Sequence, residues 1–341
     1  MKRMLETMYI MTPDSYLYHR NENICVSIGG TEKASVPASQ IDSIVFFGKN
    51  SFSTSLLAFC GERNITITFL DEWGRFSGRV CGAVSGNILL RKRQFDSLNN
   101  PEFVSETVRH ILIGKMRNSK MVLMRHARTS LQQVQATALY EAAKKLSTLA
   151  GQLAECDEVD SMRGIEGAAA MVYFSQFDQM LNGSDDMKFV IRSKRPPRNE
   201  VNATLSFVYS LLTHDYVSAL ETVGLDPAAG YLHTLRPGRA SLALDLIEEL
   251  RAPLCDRLVI GLINKGQLSS KDFNRDAEAI YLNDKGRRTV VSAWRERKRD
   301  EIMHPFFKEK IPIGMIPYTQ AMLFARVLRG DLDLYPPFMW R

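Results

Sequence analysis

Near Asn87 the pattern of the sequence changes, and any fold for this chain must respect that change. Before it, short runs rich in β-branched and aromatic residues recur: Thr7–Thr12, Ser15–Tyr18, Asn23–Ile28, Asp42–Phe47 and Asn64–Leu70. Pro-Asp, Asn-Glu-Asn and Gly-Gly breaks separate them, the pattern of strands joined by turns. Ser51–Gly61 reads as one short helix and Arg75–Cys81 as a further strand. After Asn87 the apolar residues follow a helical period. Helices are expected at Leu89–Leu98, Pro101–Arg128, Leu131–Ala150, from Asp160 or Ser161 to Leu181, and at Asn199–Val223, Ser241–Lys265, Asp284–Arg299 and Tyr318–Leu328. Pro101 suits a first helical turn, and Gly151 a helix end. Arg195-Pro-Pro-Arg198 reads as a stiff extended connector. The expectation is an α+β chain: a small, sandwich-like β-rich N-terminal domain (1–90) and a larger all-α catalytic domain (91–341), with the boundary between residues 85 and 100.

A chain of 341 residues is long enough for two domains and a large core. No apolar run approaches the roughly 18 residues of a membrane helix. Met1–Glu6 carries charges where a signal peptide needs its apolar segment. The five cysteines are widely spaced, odd in number and never arranged C-x-x-C, which argues against a disulfide framework or a thiolate zinc site. Reduced core thiols in a cytoplasmic protein are the expectation. The net charge of +6 is unevenly distributed. No acid lies between Glu106 and Glu141, a window holding Arg109, Lys115, Arg117, Lys120, Arg125 and Arg128. Arg192, Lys194, Arg195 and Arg198 form a second basic cluster, and the residues from Lys285 to Arg299 a third, interrupted by Glu296. Basic windows this poor in acids suit a polyphosphate partner.

The chemistry concentrates in Ser241–Arg251. Asp245, Glu248 and Glu249 fall at i, i+3 and i+4, on one face of a helix. Three clustered carboxylates repel unless a cation sits among them, and a divalent metal is the expected one. A solvated acidic first turn is the alternative, since the helix dipole favours it. His233, in the turn Leu232–Arg239 ahead of the helix, is positioned to fold back towards these acids. Glu166 lies in the stripe Met162, Glu166, Ala170, Tyr173, Phe177, whose other members are apolar or aromatic. A carboxylate there must be neutral, salt-bridged or metal-bound. One histidine with carboxylate oxygens suits Mg²⁺ or Mn²⁺. Arg236 and Arg239 are candidate phosphate clamps, and Arg117, Lys120 and Arg128 share a stripe able to follow a DNA backbone. No H-E-x-x-H, G-x-x-x-x-G-K-[ST] or G-x-S-x-G occurs, which removes zincin peptidases, P-loop ATPases and serine hydrolases.

With these residues in view, the whole chain resembles the CRISPR-associated integrase of spacer acquisition, the "Cas one" family. Gly164-Ile-Glu166-Gly-Ala-Ala and Tyr231-Leu-His233 through Ser241–Arg251 carry the resemblance. It implies Glu166, His233 and Glu248 as catalytic residues and metal ligands, with Asp245 as a supporting acid and Glu249 facing a basic partner. It also implies a homodimer formed through the β domain, a small "Cas two" partner, and double-stranded DNA (protospacer and CRISPR repeat) as substrate. The implied reaction is attack of a DNA 3′-hydroxyl on a phosphodiester at the repeat boundary, or hydrolysis when water replaces that hydroxyl. Ile247 stands where the family often has methionine, and Leu250-Arg-Ala-Pro253 varies its usual aromatic-Arg-Pro ending. Length and N-terminal pattern look most like the subtype I-C branch.

Overall fold

The computed structural model describes residues 6–71, 76–83, 87–182 and 185–340. Two compact units emerge: residues up to 83 together with 282–291, and residues 87–281 together with 292–340.

The first unit is built from β1 (Glu6–Ile10), β2 (Ser15–Arg20), β3 (Asn23–Ile28), β4 (Thr31–Pro37), β5 (Ile41–Phe47), β6 (Ser51–Phe52), α1 (Thr54–Glu62), β7 (Thr66–Leu70) and β8 (Phe76–Val80). The strands form two four-stranded sheets, ordered β1-β5-β7-β8 and β4-β3-β2-β6. In the first sheet β1, β5 and β7 run parallel and β8 antiparallel. Leu17, Ile24, Ile44, Phe46 and Ile67 from both sheets join Leu56 and Phe59 of α1 in one core. The Ser53 hydroxyl caps α1 by accepting from Leu56 N. The β4 strand was not expected: its residues are almost all exposed, and pairing with β3 rather than burial holds it in place. Arg75, the expected start of the last strand, lies outside the described residues.

The second unit is mostly helical. It contains α2 (Ile88–Ser97), α3 (Pro101–Thr129), α4 (Gln133–Ala154), α5 (Val159–Phe174) and α6 (Glu200–Val223). Asn100 and Asn199 cap α3 and α6 through their side chains, and Gly224 closes α6 at a φ of 86°. Helix α5 ends at Phe174, short of the expected Leu181, in turns around Ser175–Gln176. Next come α7 (Ser241–Leu246), the single turn α8 (Glu248–Leu250), a π-helical stretch (Arg251–Asp256) and α9 (Arg257–Asn264). A ribbon of β9 (Phe273–Asp276) and β10 (Ala279–Leu282), then α10 (Asp284–Arg299), a ribbon of β11 (Glu301–Met303) and β12 (Lys310–Pro312), and α11 (Ile316–Arg329) complete the order, with residues 282–291 of β10 and α10 belonging to the first unit. The two ribbons are additions to a domain expected to be all helix.

The helix expected at Ser241–Lys265, with an interruption at Pro253, is broken into α7, α8, the π-helical stretch and α9. Pro253 lacks an N–H, so the Glu249 carbonyl four residues back loses its helical donor. The Asn118 side-chain amide on α3 supplies one instead, at 2.6 Å. Three of the five cysteines are buried, but Cys81 is exposed and all five are free thiols. No helix among the described residues is long and apolar enough to cross a membrane.

Candidate active site

The three acids expected on one face are all buried, Asp245 and Glu249 fully and Glu248 to 3% exposure, so they are not a solvated helix face. Nor do they share a cation. With the helix broken at Ile247, each finds separate partners.

Asp245 holds the histidine loop. Its Oδ2 accepts from the backbone N–H groups of Tyr231 (2.6 Å) and Leu232 (3.0 Å), and its Oδ1 from His233 N (2.9 Å). Oδ1 also lies 2.7 Å from His233 Nδ1. A carboxylate only accepts, so Nδ1 carries a proton and donates to it. Nε2 lies 4.0 Å from Glu248 Oε1. Gly230 permits this arrangement, because a Cβ there would sit 2.5 Å from the Ser241 carbonyl carbon. Arg163 of α5 donates to the Leu232 carbonyl at 2.7 and 2.9 Å, tying the same loop to the helix that carries Glu166.

Glu248 faces cations. Arg251 Nη1 is 2.6 Å from Oε1, and Lys115 Nζ is 2.7 Å from Oε2. Burial alone would raise this carboxyl, but Arg251, Lys115 and His233 pull it down to about 2. Oε2 makes no well-aligned hydrogen bond despite its closeness to Lys115. Lys115 also pairs with Glu166, which is 28% exposed. Burial opposes the Lys115 charge, yet Glu248 and Glu166 together raise its pKa. The salt-bridged alternative for Glu166 is thus realised, with the Lys115 ammonium between two carboxylates from different helices.

Glu249, expected to face a basic partner, does not. Its carboxylate accepts from Tyr335 Oη (2.8 Å), Gln320 Nε2 (3.1 Å), Tyr216 Oη (3.2 Å) and Phe338 N (2.7 Å). Burial pushes it up to about 7, against the pull of those donors.

Lys115, Glu166, Glu248 and Arg251 line one cleft, along with Arg192, Lys194, Tyr209 and Asp256. Tyr209 and Tyr173 donate to Asp256 at 2.6 and 3.0 Å, and burial raises this carboxyl to about 6. The guanidiniums of Arg251 and Arg192 stand 5.0 and 5.4 Å from the Tyr209 ring centre. The cleft thus combines acid oxygens with a basic wall. Lys115 and Arg251 were not singled out as site residues from sequence. For Lys115 a signal existed: it interrupts an apolar stripe through Val108, Ile111, Leu112 and Val122 just as Glu166 interrupts its own.

Among the described residues, no three His, Cys, Asp or Glu side chains stand in a metal-holding group. The donor set nevertheless fits a hard divalent cation. Two carboxylates already surround one positive charge, a buried Glu248 oxygen lacks an aligned donor, and the His233 ring presents Nε2 towards Glu248. The other expected residues are not gathered here. Arg117 and Arg128 are exposed and Lys120 is half-buried along α3, none with a carboxylate partner among the described residues. Arg236 is exposed, and Arg239 is half-buried with its guanidinium near the Thr234 carbonyl. Several basic-window residues pair with acids of the chain: Arg109 with Asp157, Arg297 with Asp300 and Lys298 with Asp215.

The family model described as CRISPR associated protein Cas1 matches residues 8–296. A CRISPR-associated endonuclease Cas1 of Rhodospirillum rubrum is 45% identical over 347 residues, covering all of both chains. One from Chlorobaculum tepidum is 44% identical, also over the full length of both. Among solved structures, a Cas1 protein from Thermotoga maritima superposes with a TM-score of 0.82 at 25% identity, covering 96% of this chain and 97% of that one. A casposase bound to integration product shares the fold, with a TM-score of 0.79 at 19% identity over 99% and 95% of the two chains. Full-length likeness to these Cas1 endonucleases makes the chain a nuclease. This chain belongs to the CRISPR-associated Cas1 family.

Proposed function

We propose that the protein is a divalent-metal-dependent DNA integrase and endonuclease that inserts short DNA fragments into a CRISPR array. The observation that carries the reading is the pair Glu166 and Glu248 closing on one ammonium beside His233, whose ring is oriented through Nδ1 with Nε2 towards Glu248. Glu166, Glu248 and His233 would hold Mg²⁺ or Mn²⁺, which when bound supplies Lewis-acid stabilisation of charge building on a phosphodiester.

The chain's own residues account for the rest. Asp245 fixes the His233 tautomer through Nδ1 and anchors its loop through three backbone N–H groups. Arg251 keeps Glu248 ionised from outside the acid pair. Arg192 and Lys194, on the same cleft, bind phosphate oxygens of the DNA. Arg236 and Arg239 steady the strand next to His233, while Arg117, Lys120 and Arg128 follow the duplex and set its register without reading sequence. In the joining reaction a bond from the 3′-oxygen to phosphorus forms as the bond from phosphorus to the leaving oxygen breaks. The β-rich domain, residues 1–90, makes the homodimer, and residues 91–341 are the catalytic domain. The assembly includes the small Cas2 partner and works in the cytoplasm. In a Cas6-RT-Cas1–Cas2 complex, 36% of one chain shares this fold, with a TM-score of 0.83 at 21% identity.

The test supplies a 3′-hydroxyl duplex and a supercoiled repeat target with Mn²⁺ or Mg²⁺. Joined products are expected from the native chain and not from Glu166→Ala or His233→Ala. Native rates in either variant would overturn the assignment. The second reading, a non-catalytic DNA scaffold, draws on the ion pairs that already satisfy Glu166 and Glu248. It requires salt-sensitive binding with no metal-dependent cutting or joining. A nuclease for branched DNA would cut without producing joined strands.

A further inference from the structure

Glu248 sits on a weak piece of backbone. It begins a single turn, flanked by the break at Ile247 and the π-helical stretch after Leu250. Leu250 N and Arg251 N donate to the Ile247 carbonyl at 2.9 and 3.0 Å and close the turn at its start, but the Glu249 carbonyl has lost the donor that Pro253 cannot provide. What fixes it lies on the side away from the cleft. There, residues 335–340 cross behind the turn.

The contacts are dense and specific. Tyr335 Oη and Phe338 N donate to the two oxygens of Glu249, at 2.8 and 2.7 Å. Asn118 Nδ2 bridges the Glu249 and Phe338 carbonyls, at 2.6 and 2.7 Å, and its Oδ1 accepts from Trp340 N at 2.8 Å. Gly114 lets the same segment approach α3 one residue before Lys115: a Cβ there would lie 2.9 Å from Pro337 Cβ. The segment therefore touches both elements that meet at the acid pair, the turn of Glu248 and the helix of Lys115.

We propose that residues 335–340 form a positioning strap that sets where Glu248 stands in the cation site, acting through Glu249 and Asn118. None of the strap residues lines the cleft, so its effect is indirect. The proposal rests on the metal-site reading above. Outer partners of this kind govern metal affinity by fixing the ligands they hold.

The experiment is calorimetric titration of the full chain with Mn²⁺, paired with thermal unfolding of each variant. Native protein and Glu248→Gln set the scale. A native chain that binds no Mn²⁺, or binds it equally after Glu248→Gln, removes the metal site and the strap's role with it. Given a Glu248-dependent site, Gly114→Ala is expected to weaken Mn²⁺ binding by about 10-fold or more. Pro337→Gly, which removes the clashing atom, restores most of that loss in the double variant. Tyr335→Phe removes one hydroxyl without disturbing the packing and weakens Mn²⁺ by about threefold. A merely structural strap would lower the unfolding temperature and leave Mn²⁺ affinity where it was. That result overturns the proposal, as does a Gly114→Ala loss that Pro337→Gly fails to restore. If Gly114→Ala does not fold, Tyr335→Phe decides alone, and native affinity in it is a refutation.

Discussion

Glu248 and Glu249 are neighbours in the chain, both buried, and their carboxyl pKa values are shifted in opposite directions. The cleft side of their turn compensates a carboxylate with full charges, Lys115 and Arg251, and holds Glu248 down to about 2. The strap side offers hydroxyls, an amide and one backbone N–H, and Glu249 rises to about 7. Dipoles satisfy the oxygens but do not replace solvation of the charge as cations do. The first environment keeps an anion ready for a cation. The second locks a backbone in place.

Breaking the cleft side has the largest expected effect. Glu248→Ala leaves Arg251 without its carboxylate and Lys115 with Glu166 alone. Destabilisation of about 3 kcal/mol is expected, measured by urea unfolding at neutral pH. The acid limb of the stability profile should also change. A depressed carboxyl contributes stability that is present above its unfolded pKa of about 4.5 and lost as pH falls towards 2, so Glu248→Gln flattens that limb.

Glu249 sharpens the comparison through the opposite sign. Its raised pKa gives stability that is full below pH 4.5 and lost as pH rises through about 7. Between pH 5 and 8, the stability of Glu249→Gln relative to the native chain should therefore improve by about 2–3 kcal/mol. An unchanged difference would show that the four donors hold Glu249 ionised throughout. Asp256 belongs to the same class, raised from 3.8 to about 6. The corresponding gain for Asp256→Asn, about 2 kcal/mol, falls between pH 4 and 7. Arg198 and Glu278, 66% and 77% exposed, supply the lower bound. Arg198→Ala should shift stability by no more than about 0.5 kcal/mol in the same unfolding assay.

Much of this was legible in the residues, and the exceptions have physical causes. The β-to-helix change and most helix limits follow from periodicity and caps such as Asn100 and Asn199. The β4 strand left no mark, because an edge strand held by backbone pairing needs no buried stripe. Glu166 and His233 were readable as a charge in an apolar stripe and a histidine ahead of acids. The divergence of the three acids was not. A helical projection assumes an unbroken helix, and nothing at Ile247 announces the break. Nor does any local pattern around Tyr335–Trp340 reveal that its partner is Glu249, some 86 positions away for Tyr335.

Asn118 joins segments separated by 131, 220 and 222 positions in the chain. That span has a consequence for synthesis. A nascent chain that has reached residue 330 already contains Glu166, His233 and Glu248, yet lacks the anchor behind Glu248. If residues 335–340 position Glu248 as proposed, the cation site gains its anchor only after they have been made and folded back, a delay set by the order of translation.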